Sequence, residues 1–313
     1  FLVIFLFSLI FLPASVFATC EVDGNTIVYV NGILTSKRDA QDDTYFLKMK
    51  FEEKTGRTDV VFLNGYNESH ISGAGDLIES ASQLLGSPVS NYDRDTILLQ
   101  IYPEITTRKI LLVGHSQGTF YTNEIYDYLV KNGVSKEAIS VYNIATPASF
   151  VSGDGKYLTS QNDKVINAIR DVASKIGAKQ PLSANITISL TSEEAANQFG
   201  GHSFGGVYLT NDSVRIVSDV ESVLKKLVAA GPEYSRGAAE VPNTAESGCF
   251  IPPAKGLTYY VQKSVFSIAD VAAAGAVSAN TAIVTVGGTA YNGVLTVQRT
   301  VVASVQDVFS NII

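Results

Sequence analysis

Short apolar runs separated by longer polar stretches are the feature that most constrains the fold of this chain. Three of them lie at residues 26–31 (TIVYVN), 59–63 (DVVFL) and 109–113 (KILLV). Continuous runs of β-branched and aliphatic residues are typical of strands that are buried on both faces of a parallel sheet. Similar runs follow at residues 138–144 and 156–159, with a possible sixth at 186–190.

Amphipathic stretches lie between and after these runs. Apolar residues recur with helical spacing at residues 76–85, 120–129 and 211–227. Strands that alternate with helices in this way form a mostly parallel sheet with helices on both faces. We therefore predict the α/β fold class, and the 46% of hydrophobic residues in the chain supply a sizeable core.

Residues 1–18 predict a signal peptide. They carry no charge, begin with the apolar run FLVIFLF, and end in Val16, Phe17 and Ala18, which match a signal-peptidase site. We expect cleavage after Ala18 and an exported protein that is secreted, periplasmic or at the cell surface. Two alternatives stay open, an uncleaved membrane anchor and lipid attachment at Cys20.

The region after residue 230 differs from the rest of the chain in composition. Residues 271–298 carry no charge, yet they are rich in Ala, Gly, Thr, Ser and Asn, which disfavours a membrane span. Two apolar runs at 281–286 and 293–297 fit two strands better. We predict a main domain at 19–230 and a small β-rich tail or module at 231–313.

Cys20 and Cys249 are the only two cysteines, and export would place both in an oxidising compartment. We predict that they form a disulfide that ties the mature N-terminus to the region after the last helix. Two unrelated thiols are the alternative.

The composition disfavours several classes of function. Lys and Arg together number 23 against 30 Asp and Glu, so we expect no nucleic-acid partner. Two cysteines and three histidines do not make a usual zinc cluster, and the chain contains no His-Glu-x-x-His or Gly-x-x-x-x-Gly-Lys pattern. We expect no metal and no nucleotide cofactor.

The pattern Gly-x-Ser-x-Gly occurs at residues 114–118 (GHSQG) and again at 201–205 (GHSFG). In a nucleophile elbow, a buried strand runs into the serine and a helix leaves it, so that the hydroxyl is raised at the edge of the sheet. Only the first pattern has a predicted strand before it and a predicted helix after it. We therefore predict that Ser116, rather than Ser203, is a nucleophile.

A serine hydroxyl needs a base, which is most often a histidine. In chains with such an elbow the base comes last, after the acid, and His202 is the only histidine after Ser116. His115 lies beside the nucleophile in the turn, and His70 lies well before it. We predict that His202 is the base, with an ordinary surface-loop histidine as the alternative.

The acid should lie between Ser116 and His202, at the end of a strand. Asp163 follows the strand predicted at 156–159 and precedes a helix, so it is our first choice, with Asp154 in reserve. The N-cap of that helix is the alternative role for Asp163.

A tetrahedral intermediate also needs N–H donors for its oxyanion. One should come from Gln117, directly after the nucleophile. The other should come from the loop after the first strand, where Ile33 or a neighbour is the candidate and a plain turn is the alternative.

Taken together, these residues resemble the α/β-hydrolase superfamily. The strand that runs into GHSQG is similar to its lipase and esterase branch, and residues 30–33 (VNGI) resemble the His-Gly oxyanion loop of that branch, with Asn31 in place of His. The resemblance covers residues 26–230. It implies an α/β-hydrolase domain and a Ser116-Asp163-His202 triad.

The same resemblance implies that esters of small molecules or lipids are hydrolysed through an acyl-enzyme, without metal or organic cofactor. Association with a cell or membrane surface is a further expectation, whereas no oligomeric state is indicated. An acyltransferase, or a non-catalytic surface or adhesion protein that retains the fold, is the alternative.

Overall fold

The computed structural model describes residues 21–33, 35–68, 89, 91–229, 249, 259–260 and 263. The chain divides into two compact units, Phe1–Pro252 and Pro253–Ile313. In the second unit only three residues are described, and there the rings of Tyr259 and Tyr260 lie edge to face with centroids 5.6 Å apart. The predicted signal peptide, the helix at 76–85 and the strands at 281–297 lie outside the described residues.

A five-stranded parallel sheet forms the centre of the first unit. Its strands are β1 (Asn25–Val30), β2 (Val60–Asn64), β3 (Ile110–His115), β4 (Ile139–Ile144) and β5 (Lys156–Leu158). Their spatial order is β2-β1-β3-β4-β5, and every neighbouring pair is parallel. The prediction of an α/β arrangement around a parallel sheet is therefore confirmed.

Helices connect and follow these strands. They are α1 (Lys37–Thr55), α2 (Asn91–Ile101), α3 (Gly118–Lys131), α4 (Lys164–Ile176), α5 (Ser192–Ala196) and α6 (Thr210–Leu224). Two 3-10 turns occur at Tyr102–Glu104 and Ser152–Asp154, and a π-helical turn at Phe204–Leu209 precedes α6. In the described part of the chain, no helix has both the length and the apolar character needed to cross a bilayer.

Alternate side chains of the central strands pack into two separate cores. Ile27 and Tyr29 of β1 lie in one core with Phe51 of α1, whereas Val28 of β1 lies in the other with Ile97 of α2. This alternation follows from the two-residue period of a strand. All residues of β1 and β3 are buried, which explains why their sequences are continuous apolar runs.

The possible sixth strand at 186–190 forms only a single bridge, between Ser160 and Ile186. Side chains take the place of a strand ladder here. The Asn185 side chain accepts a hydrogen bond from the N–H of Thr159 at 2.9 Å, and the N–H of Ile188 donates to the Ser160 hydroxyl at 3.1 Å. Short polar side chains that bind the backbone in this way compete with regular pairing.

The direction in which the chain adds strands to the sheet changes at the boundary between β1 and β3. The chain passes from β1 to β2 on one side and then crosses to β3 on the other side of β1. In open parallel sheets, ligands bind outside the carboxyl ends of the strands at such a switch point. The loop after β1 and the turn after β3 meet there.

Candidate active site

Ser116 occupies a strained turn between β3 and α3. Its φ is 54°, in the left-handed region that residues with a Cβ adopt rarely. The N–H of Ser116 donates to the carbonyl of Ile144 in β4 at 3.0 Å, and the hydroxyl of Thr119 donates to the carbonyl of Ser116 at 2.8 Å. These bonds hold the serine at the carboxyl edge of the sheet.

Two glycines permit the close packing around this turn. A Cβ on Gly118 would lie 2.7 Å from the carbonyl oxygen of Asn31 and would also clash with the carbonyl of Val30, so α3 approaches β1 this closely only with glycine. A Cβ on Gly32 would lie 2.7 Å from the Cβ of Ser116. The loop after β1 therefore lies directly against the Ser116 side chain.

The structure brings Ser116, His202 and Asp163 together in one chain of hydrogen bonds. The Nε2 of His202 lies 2.9 Å from the Oγ of Ser116, and its Nδ1 lies 2.9 Å from Oδ2 of Asp163. An ionised carboxylate can only accept, so the ring proton belongs on Nδ1 and the Nε2 lone pair faces the serine hydroxyl. This is the arrangement in which an imidazole can take the serine proton.

Asp163 fills both of the roles between which the sequence left a choice. It is fully buried at the N-cap of α4, where its Oδ1 accepts a hydrogen bond from the N–H of Ile166 at 3.0 Å. The same carboxylate binds His202, and its Oδ2 also accepts a hydrogen bond from the hydroxyl of Tyr208 at 2.9 Å. Capping the helix thus fixes the carboxylate without preventing its contact with the histidine.

The loop that carries His202 is anchored on both sides. The Nε2 of His115 lies 2.8 Å from the carbonyl oxygen of His202, and the N–H of Gly201 donates to the Glu194 carboxylate at 3.1 Å. Burial, together with the nearby His202, lowers the pKa of His115 to about 3. His115 therefore stays neutral and donates this hydrogen bond.

The two predicted oxyanion donors, the N–H groups of Gln117 and Ile33, belong to segments that are joined by the side-chain amides of Asn31, Asn67 and Gln117. Neither the N–H of Gln117 nor that of Ile33 donates to another described residue. The Asn67 side chain donates to Oε1 of Gln117 at 2.9 Å, while its backbone N–H donates to Oδ1 of Asn31 at 2.8 Å. Asn31 in turn donates to the carbonyl of Gly32 at 2.8 Å.

Other sequence candidates lie away from this centre. Asp154 is exposed and precedes β5, at the amino edge of the sheet, so the reserve acid is at the wrong end of its strand. The hydroxyl of Ser203 accepts a hydrogen bond from the N–H of Gly206 at 3.1 Å and caps the π-helical turn. His70 lies outside the described residues.

Sequence reasoning missed Tyr208, Asn67 and the anchoring role of His115. Tyr208 is fully buried, as are Tyr29 and Tyr142, and the sequence offers nothing that separates one core tyrosine from another. Asn67 follows β2, and its position after a strand at the carboxyl edge is the only signal that pointed to it.

Cys249 is buried, and it takes part in a disulfide bond. Its N–H donates to the carbonyl of Ile105 at 3.2 Å, while the N–H of Glu21 donates to the neighbouring carbonyl of Thr106 at 2.8 Å. The pairing with Cys20 stays a prediction, because Cys20 lies outside the described residues.

No cluster of three or more His, Cys, Asp or Glu side chains that could hold a metal ion occurs among the residues that the structure describes. Comparison of the chain with protein-family models and with curated proteins finds no match.

Proposed function

We propose that this chain is an exported serine hydrolase of the α/β-hydrolase type that cleaves carboxylic esters through an acyl-enzyme on Ser116. The observation that carries the proposal is the hydrogen-bonded series from the Ser116 hydroxyl through His202 to Asp163, with contacts of 2.9 Å on each side of the imidazole. Such a series, beginning at a strained turn on a sheet edge, supplies a nucleophile, a base and an orienting acid.

In the first half-reaction, the Oγ of Ser116 attacks the ester carbonyl carbon while Nε2 of His202 takes the hydroxyl proton. The carbonyl oxygen becomes an oxyanion that accepts hydrogen bonds from the N–H groups of Gln117 and Ile33. When the tetrahedral intermediate collapses, the bond to the leaving alcohol breaks and His202 returns the proton to that alcohol.

In the second half-reaction, His202 takes a proton from water, and the resulting nucleophile attacks the acyl carbon on Ser116. On collapse, the bond between the acyl carbon and Oγ breaks and His202 returns the proton to Oγ, which releases the carboxylic acid and restores the serine. Asp163 stays ionised throughout and stabilises the imidazolium form of His202. No step requires a metal or an organic cofactor.

The hydrolase fold is part of the same proposal for residues 19–230. Its support is that the nucleophile follows β3, the central strand of the order β2-β1-β3-β4-β5, and that acid and base follow in chain order. Export through residues 1–18 and a β-rich tail at 231–313 complete the proposal, on the sequence grounds given above.

The test is hydrolysis of p-nitrophenyl esters of increasing acyl length by the mature protein, with Ser116→Ala and Ser203→Ala as matched variants. We expect release of p-nitrophenol by the wild type and Ser203→Ala, and a loss of several powers of ten for Ser116→Ala. A folded wild type that hydrolyses no ester in the series, or an active Ser116→Ala, would refute the proposal.

A further inference from the structure

Three buried tyrosines each donate a hydrogen bond to an aspartate. Tyr29 binds Asp43 at 3.0 Å, Tyr142 binds Asp219 at 3.2 Å, and Tyr208 binds Asp163 at 2.9 Å. The three tyrosines are equally buried in one core. Of these three aspartates, only Asp163 also contacts His202. The hydrogen bond from Tyr208 can therefore act on the catalytic residues, whereas those from Tyr29 and Tyr142 are structural.

The direction of the Tyr208 hydrogen bond is fixed by its second partner. The N–H of Ser160 donates to the Tyr208 oxygen at 2.9 Å, so this oxygen is an acceptor there. The phenol's own hydrogen is then left for Oδ2 of Asp163, which can only accept when ionised. Burial and the charge of Asp163 raise the pKa of Tyr208 well above its ordinary value, so the phenol keeps this hydrogen at neutral pH.

We propose that Tyr208 is a positioning residue that holds the Asp163 carboxylate, and through it the imidazole of His202, in line with Ser116. This inference rests on the proposed function. The N–H of Ile166 anchors Oδ1 and Tyr208 anchors Oδ2, so the two bonds together fix the plane of the carboxylate.

The π-helical turn links this anchor to the base. His202 directly precedes Ser203, the N-cap of the turn, and the N–H groups of Val207 and Tyr208 both donate to the carbonyl of Ser203, at 3.0 and 3.1 Å. Single π-helical turns occur frequently at functional sites. One short segment thereby carries the base and also the second anchor of its acid.

The substitution Tyr208→Phe removes the hydroxyl and keeps the ring. We expect kcat to fall about tenfold with little change in KM, which corresponds to the loss of one hydrogen bond to a charged group. The acid limb of the pH profile of kcat/KM should move to higher pH. Without the hydrogen bond from Tyr208, the negative charge of Asp163 is less offset, and it therefore stabilises the imidazolium form of His202 more strongly.

The other titratable groups around this pair are few in the described part of the chain. His115 of β3 faces His202 and is neutral for the reason given above, and Arg170 of α4 lies near enough to act on Tyr208. Neither is altered by the substitution, so a shift of the acid limb reports on the bond between Tyr208 and Asp163.

The matched control is Tyr142→Phe, which removes the buried hydrogen bond to Asp219. Tyr208→Phe should lose more stability than Tyr142→Phe in urea unfolding, because it also leaves the buried N–H of Ser160 without its acceptor, but only Tyr208→Phe should change kcat and the pH profile. As a second variant, 3-fluorotyrosine at position 208 keeps both hydrogen bonds and makes the phenol a stronger donor. The acid limb should then move to lower pH, opposite to the shift for Phe.

Labelling with a fluorophosphonate separates the two proposals. If the wild type is neither labelled nor hydrolytic, the proposed function fails, and this inference fails with it. If the wild type is labelled at Ser116 but the variants at 208 keep the wild-type kcat and pH profile, or Tyr142→Phe changes both as much, only the inference is overturned.

Discussion

The side-chain amide of Asn67 donates a hydrogen bond of 2.9 Å to the side-chain carbonyl of Gln117. Asn67 also exchanges two hydrogen bonds with Asn31, whose amide binds the carbonyl of Gly32. One buried residue from the loop after β2 therefore connects the two segments that carry the predicted oxyanion donors, Gln117 and Ile33. A preorganised pair of donors is what an oxyanion hole requires, because donors that must first reorganise stabilise the transition state less.

The variant Asn67→Ala should lower kcat about 10- to 100-fold with KM within a few-fold of wild type, since misplaced donors act on the transition state more than on the bound ester. Steady-state hydrolysis of a p-nitrophenyl ester measures both constants. Asn123→Ala is the control. Asn123 is also buried and hydrogen-bonded, but it binds the loop after β4 through the carbonyl of Phe150. Equal losses of kcat in the two variants would mean that Asn67 has only a structural role.

The base and the acid should differ in how much activity their loss leaves. His202→Ala should be as severe as Ser116→Ala, because the nucleophile and base act as one unit. Asp163→Asn should leave more activity, since the acid orients and stabilises the imidazole without taking the proton.

Asp154→Asn is the control for the acid, because Asp154 is exposed at the amino edge of the sheet. Its kcat should equal that of the wild type in the same assay. An unchanged rate for Asp163→Asn beside a disabled Asp154→Asn would transfer the role of acid to position 154.

The raised pKa of Asp43 should make the free energy of unfolding depend on pH. Burial is the main cause that raises its pKa to about 6, and the nearby Asp39 and Asp42 add to the effect, while bonds from Tyr29 and the N–H of Gly205 oppose it. The folded state therefore binds this proton more tightly than the unfolded state does. Its contribution to stability is fully present below about pH 4 and is lost as the pH rises through about 6.

The variant Asp43→Asn removes this titration. Between pH 4 and pH 7, its free energy of unfolding should gain about 1 to 2 kcal/mol relative to wild type, after allowance for the partial exposure of Asp43 to solvent. Urea unfolding at a series of pH values measures the difference. A difference that stays constant with pH, or that grows toward acid pH, would contradict the assignment.

The predicted disulfide between Cys20 and Cys249 should stabilise the first unit without affecting chemistry. A bridge that closes so long a loop is worth about 4 to 5 kcal/mol in chain-entropy models, although real bridges often contribute less. The mature protein under denaturant should show no reactive thiol until a reductant is added. Two reactive thiols in the unreduced protein would rule out the bridge.

The tail after the first unit should be dispensable for catalysis. Because Cys249 is buried in the core of that unit, which extends to Pro252, truncation after Pro252 is a cleaner test than truncation at residue 230. The shortened protein should keep the ester hydrolysis rate of the full chain. A shortened form that unfolds cooperatively yet has lost hydrolysis would show that the tail completes the substrate site.

The parallel strands could be predicted from local patterns, and the pairing of Ser116 with His202 could be predicted from the elbow and from the place of the base in chain order. A buried apolar run is recognisable as a central strand, and an elbow requires a strand before the serine and a helix after it. Asp163 was recognisable from its position between a strand and a helix, although the sequence did not indicate that one carboxylate would serve as both cap and acid.

Other features depend on three-dimensional packing that leaves no local signal. Asn67 meets Gln117 because β2 and β3 lie on either side of β1, so that their loops meet over its end. Tyr208 reaches Asp163 because the chain forms a π-helical turn after His202, and residues 204–209 carry no pattern that distinguishes this turn from an α-helix. The strand expected at 186–190 is likewise reduced to a single bridge at Ile186, because side chains bind the neighbouring backbone where a ladder would continue.

The most direct test of the account is the site at which a fluorophosphonate attaches to the mature protein. We predict one covalent adduct per chain, located by peptide mass spectrometry at Ser116, which is absent from Ser116→Ala and unchanged in Ser203→Ala. An adduct that persists in Ser116→Ala, or one that maps to Ser203, would contradict the assignment of Ser116 as the nucleophile.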